Sequence, residues 1–487
     1  MAIAALNSKH KMISLNSIRV ELVEENNIIF YTLFAVITAL LIYTCYAEVD
    51  VRHFFYADDW VWLYKAEFNS YSDLFRLIPG AIYNDRPVGA VLVKFMYEAF
   101  GLCHRCFLFV QVAIHFANCL LLFIISKKYI GPIPAIVSAG LAGVWLPANI
   151  AVFWTAAIFD LIGATLCLLS ILLMQKAISH KHSFVFSIIS AVFYLLALRS
   201  KEFAIGLPFV LVAIGVFLER KTIKDCFKLL TPHFIIFVLL GLVYLNLFIA
   251  SPLSADTEKT YSLHINFTVL ENFWFYLTKA LYIDAVGVYF SIAGSALILI
   301  AAITSSQIRP VLVVCFVGFC MLLGPVLLLS NHLDKLYLYA PHFFLAFAFG
   351  ALLSVNLHFS IAASICSLII VITPISSNWA ANVHNFYNVK TSNILMQYES
   401  FKLISSKIEK GSRLFISGLD RYFNPFSNGP GRAVKIMKKD QSLKLFIEKP
   451  KSELSREFCT STTPKYFFHY EMNQLIDETS TMLENCK

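Results

Sequence analysis

The chain has 487 residues, 58% of them hydrophobic and only 14% charged, with 44 phenylalanines and a formal net charge of +8. Soluble proteins carry about 25% charged residues, so this composition excludes an ordinary soluble domain and reads as an integral membrane protein. The positive balance asks for no nucleic acid, because much of the Lys and Arg lies in short links between apolar runs, where it sets membrane topology.

Residues 1–27 are polar and mixed in charge, and the apolar run after them has the length of a spanning helix rather than of a short signal-peptide core. Roughly 20 apolar residues cross a bilayer as a helix. Spans are predicted near 28–46, 105–126, 132–147, 152–174, 184–198, 203–219, 231–250, 286–303, 310–330, 336–354 and 357–375, about eleven in all. With the N-terminus in the cytoplasm, the inner links "SKKY" (126–129), "QKAISHKH" (175–182), "ERKTIKDCFK" (219–228) and "SSQIR" (305–309) are basic. The outer face then receives residues 47–104, the turn near Pro147, 198–202, 251–285, 331–335 and everything after about 376.

The outer segment 47–104 is not a plain loop. Trp60, Leu63, Tyr64, Phe68, Tyr71, Leu74, Phe75 and Ile78 recur at helical spacing, as do Val88, Leu92, Phe95, Met96 and Ala99. Both stretches predict amphipathic helices on the membrane surface, and Leu270, Phe273, Trp274, Leu277 and Leu281 predict another over 269–281. In the polar tail, "SRLFISGL", "SLKLFIEK" and "PKYFFHYE" read as short strands among helices. The expected fold class is an all-α polytopic membrane protein with amphipathic interfacial helices and a small α/β C-terminal domain outside the membrane. Its parts are an arm, 1–27, a membrane domain, 28–375, and the outer domain, 376–487.

Eleven cysteines are scattered, and Cys45, Cys103, Cys106, Cys119, Cys167, Cys315 and Cys366 lie in or beside apolar runs as small core residues. "CHRC" at 103–106 has metal or redox spacing but lacks a second pair. Cys459 and Cys486 can pair if the tail lies outside the cytoplasm.

The chemistry concentrates at the outer face. In "HFFYADDWVWLYKAEF" the acidic pair Asp58 and Asp59 sits among aromatics. Capping the helix that follows explains an Asp there. A carboxylate held at a membrane interface by aromatics also gains a raised pKa and becomes a usable base. Arg86 follows in "NDRPVG", and Asp160 lies inside the fourth span, where an ionisable group marks a functional site unless it only partners a nearby cation. Arg199, Lys201 and Glu202 occupy an outer helix–helix turn, which interface anchoring alone would also explain. His332, Lys335 and His342 stand at the top of the tenth span, where His342 alone would read as a core histidine. Together these residues suit a substrate whose phosphate needs cations and whose acceptor hydroxyl needs a carboxylate base. Transfer of a sugar from a polyprenyl phosphate requires both.

Four blocks carry a resemblance: "YADDW"; "RPVGAVLVKFMYEAFG" with "FLFVQVAIHFANCLLLFII"; "VFWTAAIFDLIGATLCLLSILL" followed by "RSKEFAIGLP"; and "DKLYLYAPHFFLAFAFG". In order and placement the chain resembles the GT-C class of multi-pass glycosyltransferases, over about residues 28–355. The resemblance extends to protein O-mannosyltransferase-like families and to bacterial and phage O-antigen glucosyltransferases. It implies Asp58 as catalytic base with Asp59 beside it and Asp160 as the second important carboxylate. Lys201 and Glu202 would contact phosphate and organise the site, with His332 and Lys335 toward the lipid phosphate. Leu-Asp-Lys stands where an Arg before Tyr-Leu-Tyr is common, which leaves the phosphate ligand open.

The implied reaction is one inverting displacement from undecaprenyl-phosphate-sugar, with glucose as the leading sugar, to a glycan acceptor such as O-antigen lipopolysaccharide. The implied location is the bacterial inner membrane, with the C-terminal domain in the periplasm. No cofactor is required, and a divalent metal bridging Asp58 and phosphate is compatible with the scheme. The rivals are a polysaccharide polymerase and a lipid-linked sugar transporter or flippase. The flippase would call for inverted repeats and mid-membrane charges, which the sequence does not display.

Overall fold

The computed structural model describes residues 54–80, 85–179, 183–249, 266–281, 288–329, 331–354, 361, 391–419, 424–426, 431–447, 451–461 and 463–486. The predicted first span, 28–46, lies outside these residues, as does 357–375 apart from residue 361. Among the described residues, three helical runs are long and apolar enough to cross a membrane: His104–Ile130, Thr155–Ser179 and Arg309–Leu328. Ile223–Leu229 and Thr231–Leu247 form a further candidate bent by 68°. Shorter apolar helices, Pro132–Val144, Ser183–Leu198, Glu202–Leu218, Ile292–Thr304 and His342–Leu353, fall where the other spans are predicted. The positions agree with the sequence reading, but a count of about eleven is not established.

Helices form where the apolar spacing places them, at α1 (Asp59–Phe68), α2 (Tyr71–Leu74) and α3 (Pro87–Phe100), with Trp60 and Leu63 of α1 buried in protein core. The helical periodicity read as far as Ile78 ends at Leu74, because Phe75 turns to extended backbone. A capping box starts α2: the Ser70 hydroxyl accepts from the Asp73 N–H, and the Asp73 carboxylate accepts from the Ser70 N–H. The bundle continues with α4 (His104–Ile130), α5 (Pro132–Val144), α6 (Leu146–Phe153), α7 (Ile158–Ser179) and α8 (Ser183–Leu198). Pro147 thus opens a short helix rather than a plain turn, with its missing N–H at a position that has no helical partner.

A 3-10 turn over Glu202–Gly206 leads into α9 (Leu207–Ala213), and a π-helical turn, Ile214–Leu218, ends the run. Then come α10 (Ile223–Leu229), α11 (Thr231–Ile249), α12 (Thr268–Ala280), α13 (Val288–Thr304), α14 (Arg309–Leu323) and α15 (His342–Leu353). Antiparallel α7 and α8 pack along their length, and α5 lies against α15.

Gly206 marks the tightest crossing near the site. A Cβ there would lie 2.0 Å from the backbone oxygen of Met321. No rotamer change moves a backbone atom, so Gly206→Ala must push α14 away, at a cost of about 2 kcal/mol or more. A lowered melting midpoint in detergent is the expected result, and an unchanged midpoint would contradict this packing.

The C-terminal unit carries a four-stranded sheet in the order β2-β1-β3-β4, from β1 (Arg413–Ser417), β2 (Lys444–Phe446), β3 (Lys465–Glu471) and β4 (Gln474–Asp477). β1 is parallel to β2 and β3, and β4 returns antiparallel to β3. Helices α16 (Thr391–Ile404), α17 (Arg432–Lys438), α18 (Lys451–Thr460) and α19 (Thr479–Asn485) accompany it. This unit shares a core with the 54–68 segment: the Tyr398 ring lies 5.1 Å from Phe54 and stacks on Trp60 at 5.9 Å.

Cys459 and Cys486 form a disulfide, closing the unit's last helices on each other. Cys103 and Cys106 also pair, which corrects their reading as small core residues and takes up both sulfurs of "CHRC". Cys119, Cys167 and Cys315 are free and buried, as read, while Cys45 and Cys366 lie outside the described residues.

Candidate functional site

Two consecutive aspartates end in different places. Ala57 takes a left-handed φ of 47°, turning the chain into α1. Asp58 is exposed and its side chain makes no capping hydrogen bond, so capping does not account for it. Asp59 is 1% exposed, and its two carboxylate oxygens accept the N–H groups of Tyr56 at 3.0 Å and Ala156 at 2.6 Å. Asp59 therefore ties the loop to the turn that begins the α7 run, while Asp58 is left open to solvent.

Burial pushes the Asp59 carboxyl up to about 8, against the two N–H donors and with Asp58 adding to the rise. An unfolded Asp titrates near 4 (about 3.9). Between those values the folded protein keeps a proton that the unfolded chain has released. This stabilisation is complete below about pH 4 and is lost as pH rises through about 8. The melting midpoint of the wild type, measured against Asp59→Asn, should fall as pH is raised from about 5 to about 9. Parallel curves would refute it.

Asp160, also 1% exposed, begins the helical turn after Ala156 and accepts from Lys201 Nζ at 2.8 Å. The next residue along, Glu202, receives a two-pronged hydrogen bond from Arg86, Nε at 3.0 Å and a terminal nitrogen at 3.1 Å. Arg199 is fully buried and donates to Asp85 at 2.6 Å, to the Arg76 carbonyl at 2.8 Å and to the Tyr244 hydroxyl at 2.7 Å. The 85–86 strand of chain is thus laced to the 199–202 turn by two ion pairs, and the turn to α7 by a third. The Lys201 ammonium also lies 5.6 Å from the Tyr337 ring centre.

These contacts sort the sequence-predicted residues. Arg86, Asp160, Lys201 and Glu202 form one cluster. Arg199 belongs to its supporting side: its guanidinium is occupied by three acceptors and sealed from solvent, so it positions the 85–86 segment instead of meeting a ligand. His342 departs from the expectation of substrate contact. It is fully buried, with one ring nitrogen against the Tyr339 carbonyl and the other 3.1 Å from the Ala142 carbonyl. It belongs to a packed set with His115, whose ring bonds the Tyr339 hydroxyl at 2.9 Å.

His332 is half-buried beside Tyr337, with ring centres 5.9 Å apart. Burial holds its imidazole below the ordinary range, Asp334 pulling upward and Lys201 adding to the depression. Burial thus works against its imidazolium form. Lys335 opens the 3-10 turn Lys335–Leu338, which Asp334 caps by accepting from the Leu336 N–H at 2.8 Å.

Sequence reasoning missed three contributors. Asp85 was passed over although it stands in the same motif as Arg86. Lys65, on α1, is held below its usual pKa by burial, with Asp85 opposing and the Arg432 and Arg86 charges reinforcing. Arg432 opens α17, which packs on α1, and feels the Asp58 charge. Arg432 thus faces Asp58, while Lys65 lies within the field of Arg432, Asp85 and Arg86, so charge from three separate stretches of chain gathers on this side of the molecule. Only the adjacency of Asp85 to Arg86 was visible as a signal. Among the described residues, no three His, Cys, Asp or Glu side chains converge as a metal cluster.

The chain superposes on ArnT from Cupriavidus metallidurans bound to undecaprenyl phosphate with a TM-score of 0.52, at 12% identity, over 90% of this chain and 93% of that one. The apo state of the same protein gives 0.51 at 11% identity, over 90% and 92% of the two chains. The archaeal oligosaccharyltransferase AglB from Archaeoglobus fulgidus, in complex with an inhibitory peptide and a dolichol-phosphate, gives 0.51 at 10% identity, over 90% of this chain and 69% of that one. No family model and no curated protein matches the sequence. At these identities the likeness establishes the fold, and it is the GT-C fold that the sequence motifs resemble.

Proposed function

We propose that the chain is a membrane glycosyltransferase that moves a sugar from a polyprenyl-phosphate carrier to an acceptor hydroxyl at the bilayer surface. The observation that carries this reading is the open carboxylate of Asp58 on a GT-C scaffold, facing Arg432, with Arg432 and Arg86 both acting on neighbouring Lys65. Asp58 takes the proton from the acceptor oxygen, that oxygen attacks the anomeric carbon, and the carbon–phosphate-oxygen bond breaks with inversion. The cations balance the charge that gathers on the departing phosphate. Asp59, Asp160 and Arg199 hold these groups in place without touching the reacting atoms. The scheme has no step that needs a metal.

The finer reading keeps undecaprenyl-phosphate-glucose as donor and O-antigen lipopolysaccharide as acceptor, in a bacterial inner membrane with the C-terminal unit in the periplasm. Two disulfides at the end of the molecule that bears the acidic pair support an oxidising compartment there: Cys103 borders His104, whose ring meets Phe55 at 4.9 Å, and Cys459–Cys486 lies in the C-terminal unit.

The test is mass spectrometry of surface glycans from cells that express the chain and make the donor. A hexose-sized increment on the polysaccharide supports the full reading. An increment on lipid A or protein moves the acceptor. No increment with any polyprenyl-phosphate-sugar overturns glycosyl transfer and directs attention to lipid-linked sugar transport.

A further inference from the structure

A second feature lies at the opposite end of the bundle. α8 ends at the site turn, and the run from Glu202 through Leu218 carries the chain back to the far side. There Arg220 adopts a left-handed φ of 53°, and α10 sets off at 68° to the following span. Its Cys226 is buried against Gly215, where a Cβ would come within 2.6 Å of the Cys226 sulfur. That contact fixes which side of α10 faces the bundle.

The opposite side meets α11 in an open groove of about 610 Å³, within the range of about 300–1,000 Å³ for small-molecule sites. Phe227, Phe234, Val238 and Leu239 wall it, with the first two rings stacked 4.9 Å apart, and Lys228 stands at its edge. Apolar exposure alone is what any lipid-facing helix presents. The charge pattern distinguishes this place. Lys221, Lys224 and Lys228 recur at helical spacing, all exposed, and with Arg220 they form no ion pair among the described residues. The nearby acids are already engaged: Glu219 holds Lys128 at 2.5 Å and the Tyr129 hydroxyl at 2.6 Å, and Asp225 accepts from Thr222 at 2.7 Å.

We propose that the wedge between α10 and α11 binds an anionic phospholipid, its acyl chains between Phe227 and Leu239 and its phosphate against Lys224 and Lys228. The site is separate from any carrier-lipid site near Asp58, because the two lie at opposite ends of the same helices, and it does not depend on the proposed glycosyl transfer. Its role is to pin the bent segment to the membrane surface.

Each basic group near an anionic surface contributes about a fivefold factor in binding. The experiment uses the full-length protein purified in mild detergent, with phosphatidylglycerol or phosphatidylcholine of identical chains added, and reads bound lipid by native mass spectrometry. Wild type should retain phosphatidylglycerol about tenfold or more over phosphatidylcholine. Lys224→Gln/Lys228→Gln should bring that ratio close to one, and Lys224→Arg/Lys228→Arg should keep it. Val238→Trp, which fills the groove and leaves the charges, should lose both lipids. The melting midpoint in lipid-free detergent identifies any variant that is merely misfolded. A wild type without headgroup preference, or a preference that survives both the Gln pair and Val238→Trp, would mean ordinary annular lipid and overturn the proposal.

Discussion

Asp58→Asn is expected to lower transfer by at least about a hundredfold, the low end of what a positioned general base contributes, with protein level and melting midpoint unchanged. The two parts of this expectation rest on one observation. Asp58 is exposed and caps nothing with its side chain, so the isosteric amide removes no structural bond. What it removes is the capacity to accept a proton, and with it the negative charge that Arg432 faces. Asp59→Asn should behave in the opposite way, because that side chain is committed to two backbone N–H groups. Its effect should fall on folding and only indirectly on rate. Single-turnover transfer from a synthetic carrier lipid separates the cases. If Asp58→Asn keeps wild-type rates, the base is elsewhere.

Lys201→Met carries the other large effect. Lys201 and Asp160 are 6% and 1% exposed and joined at 2.8 Å. Removing one member of such a pair leaves an uncompensated buried charge, at a cost of about 3–5 kcal/mol. The same principle predicts that Asp160→Leu/Lys201→Met recovers most of that loss, because two apolar side chains need no partner. Activity should stay lost in the double variant if Lys201 also faces the carrier phosphate. Melting in detergent, read beside transfer rate for both singles and the double, decides this. If the double variant is no more stable than Lys201→Met, the pair is not the source of the cost. If it regains activity with stability, the pair is structural only.

Much of this site was legible because its parts lie in short motifs of unusual composition. A Lys-Glu turn between apolar runs and an Asp inside a span violate the membrane's preference for apolar residues, and violations are visible without a structure. What could not be read was pairing over distance. Arg199 and Asp85 are 114 residues apart, and nothing local says that one seals the other. Nor could the sequence separate Asp58 from Asp59, since the difference is made by a left-handed turn at Ala57, a residue that rarely takes one.

The tail shows a similar division. Three of its strands follow from their apolar and β-favouring residues, whereas β4 was missed. It is reached through a two-residue turn at Met472 and Asn473, with φ of 46° and 63°, and methionine gives no turn signal. His342 was misassigned for the opposite reason: its position beside the motif was right, but its ring turns inward to carbonyls.

The aromatic seam of Tyr398 with Phe54 and Trp60 has a bearing on how such chains diversify. A tail that met the membrane part through a polar surface could be exchanged between relatives as a cassette, carrying a new acceptor preference with it. Here the stretch bearing the acidic pair and the tail have one core between them, so neither can be inherited alone without leaving Trp60 bare. A chimera joined after the last membrane helix would need to bring 54–68 from the same parent. Drift in one of the two segments constrains drift in the other.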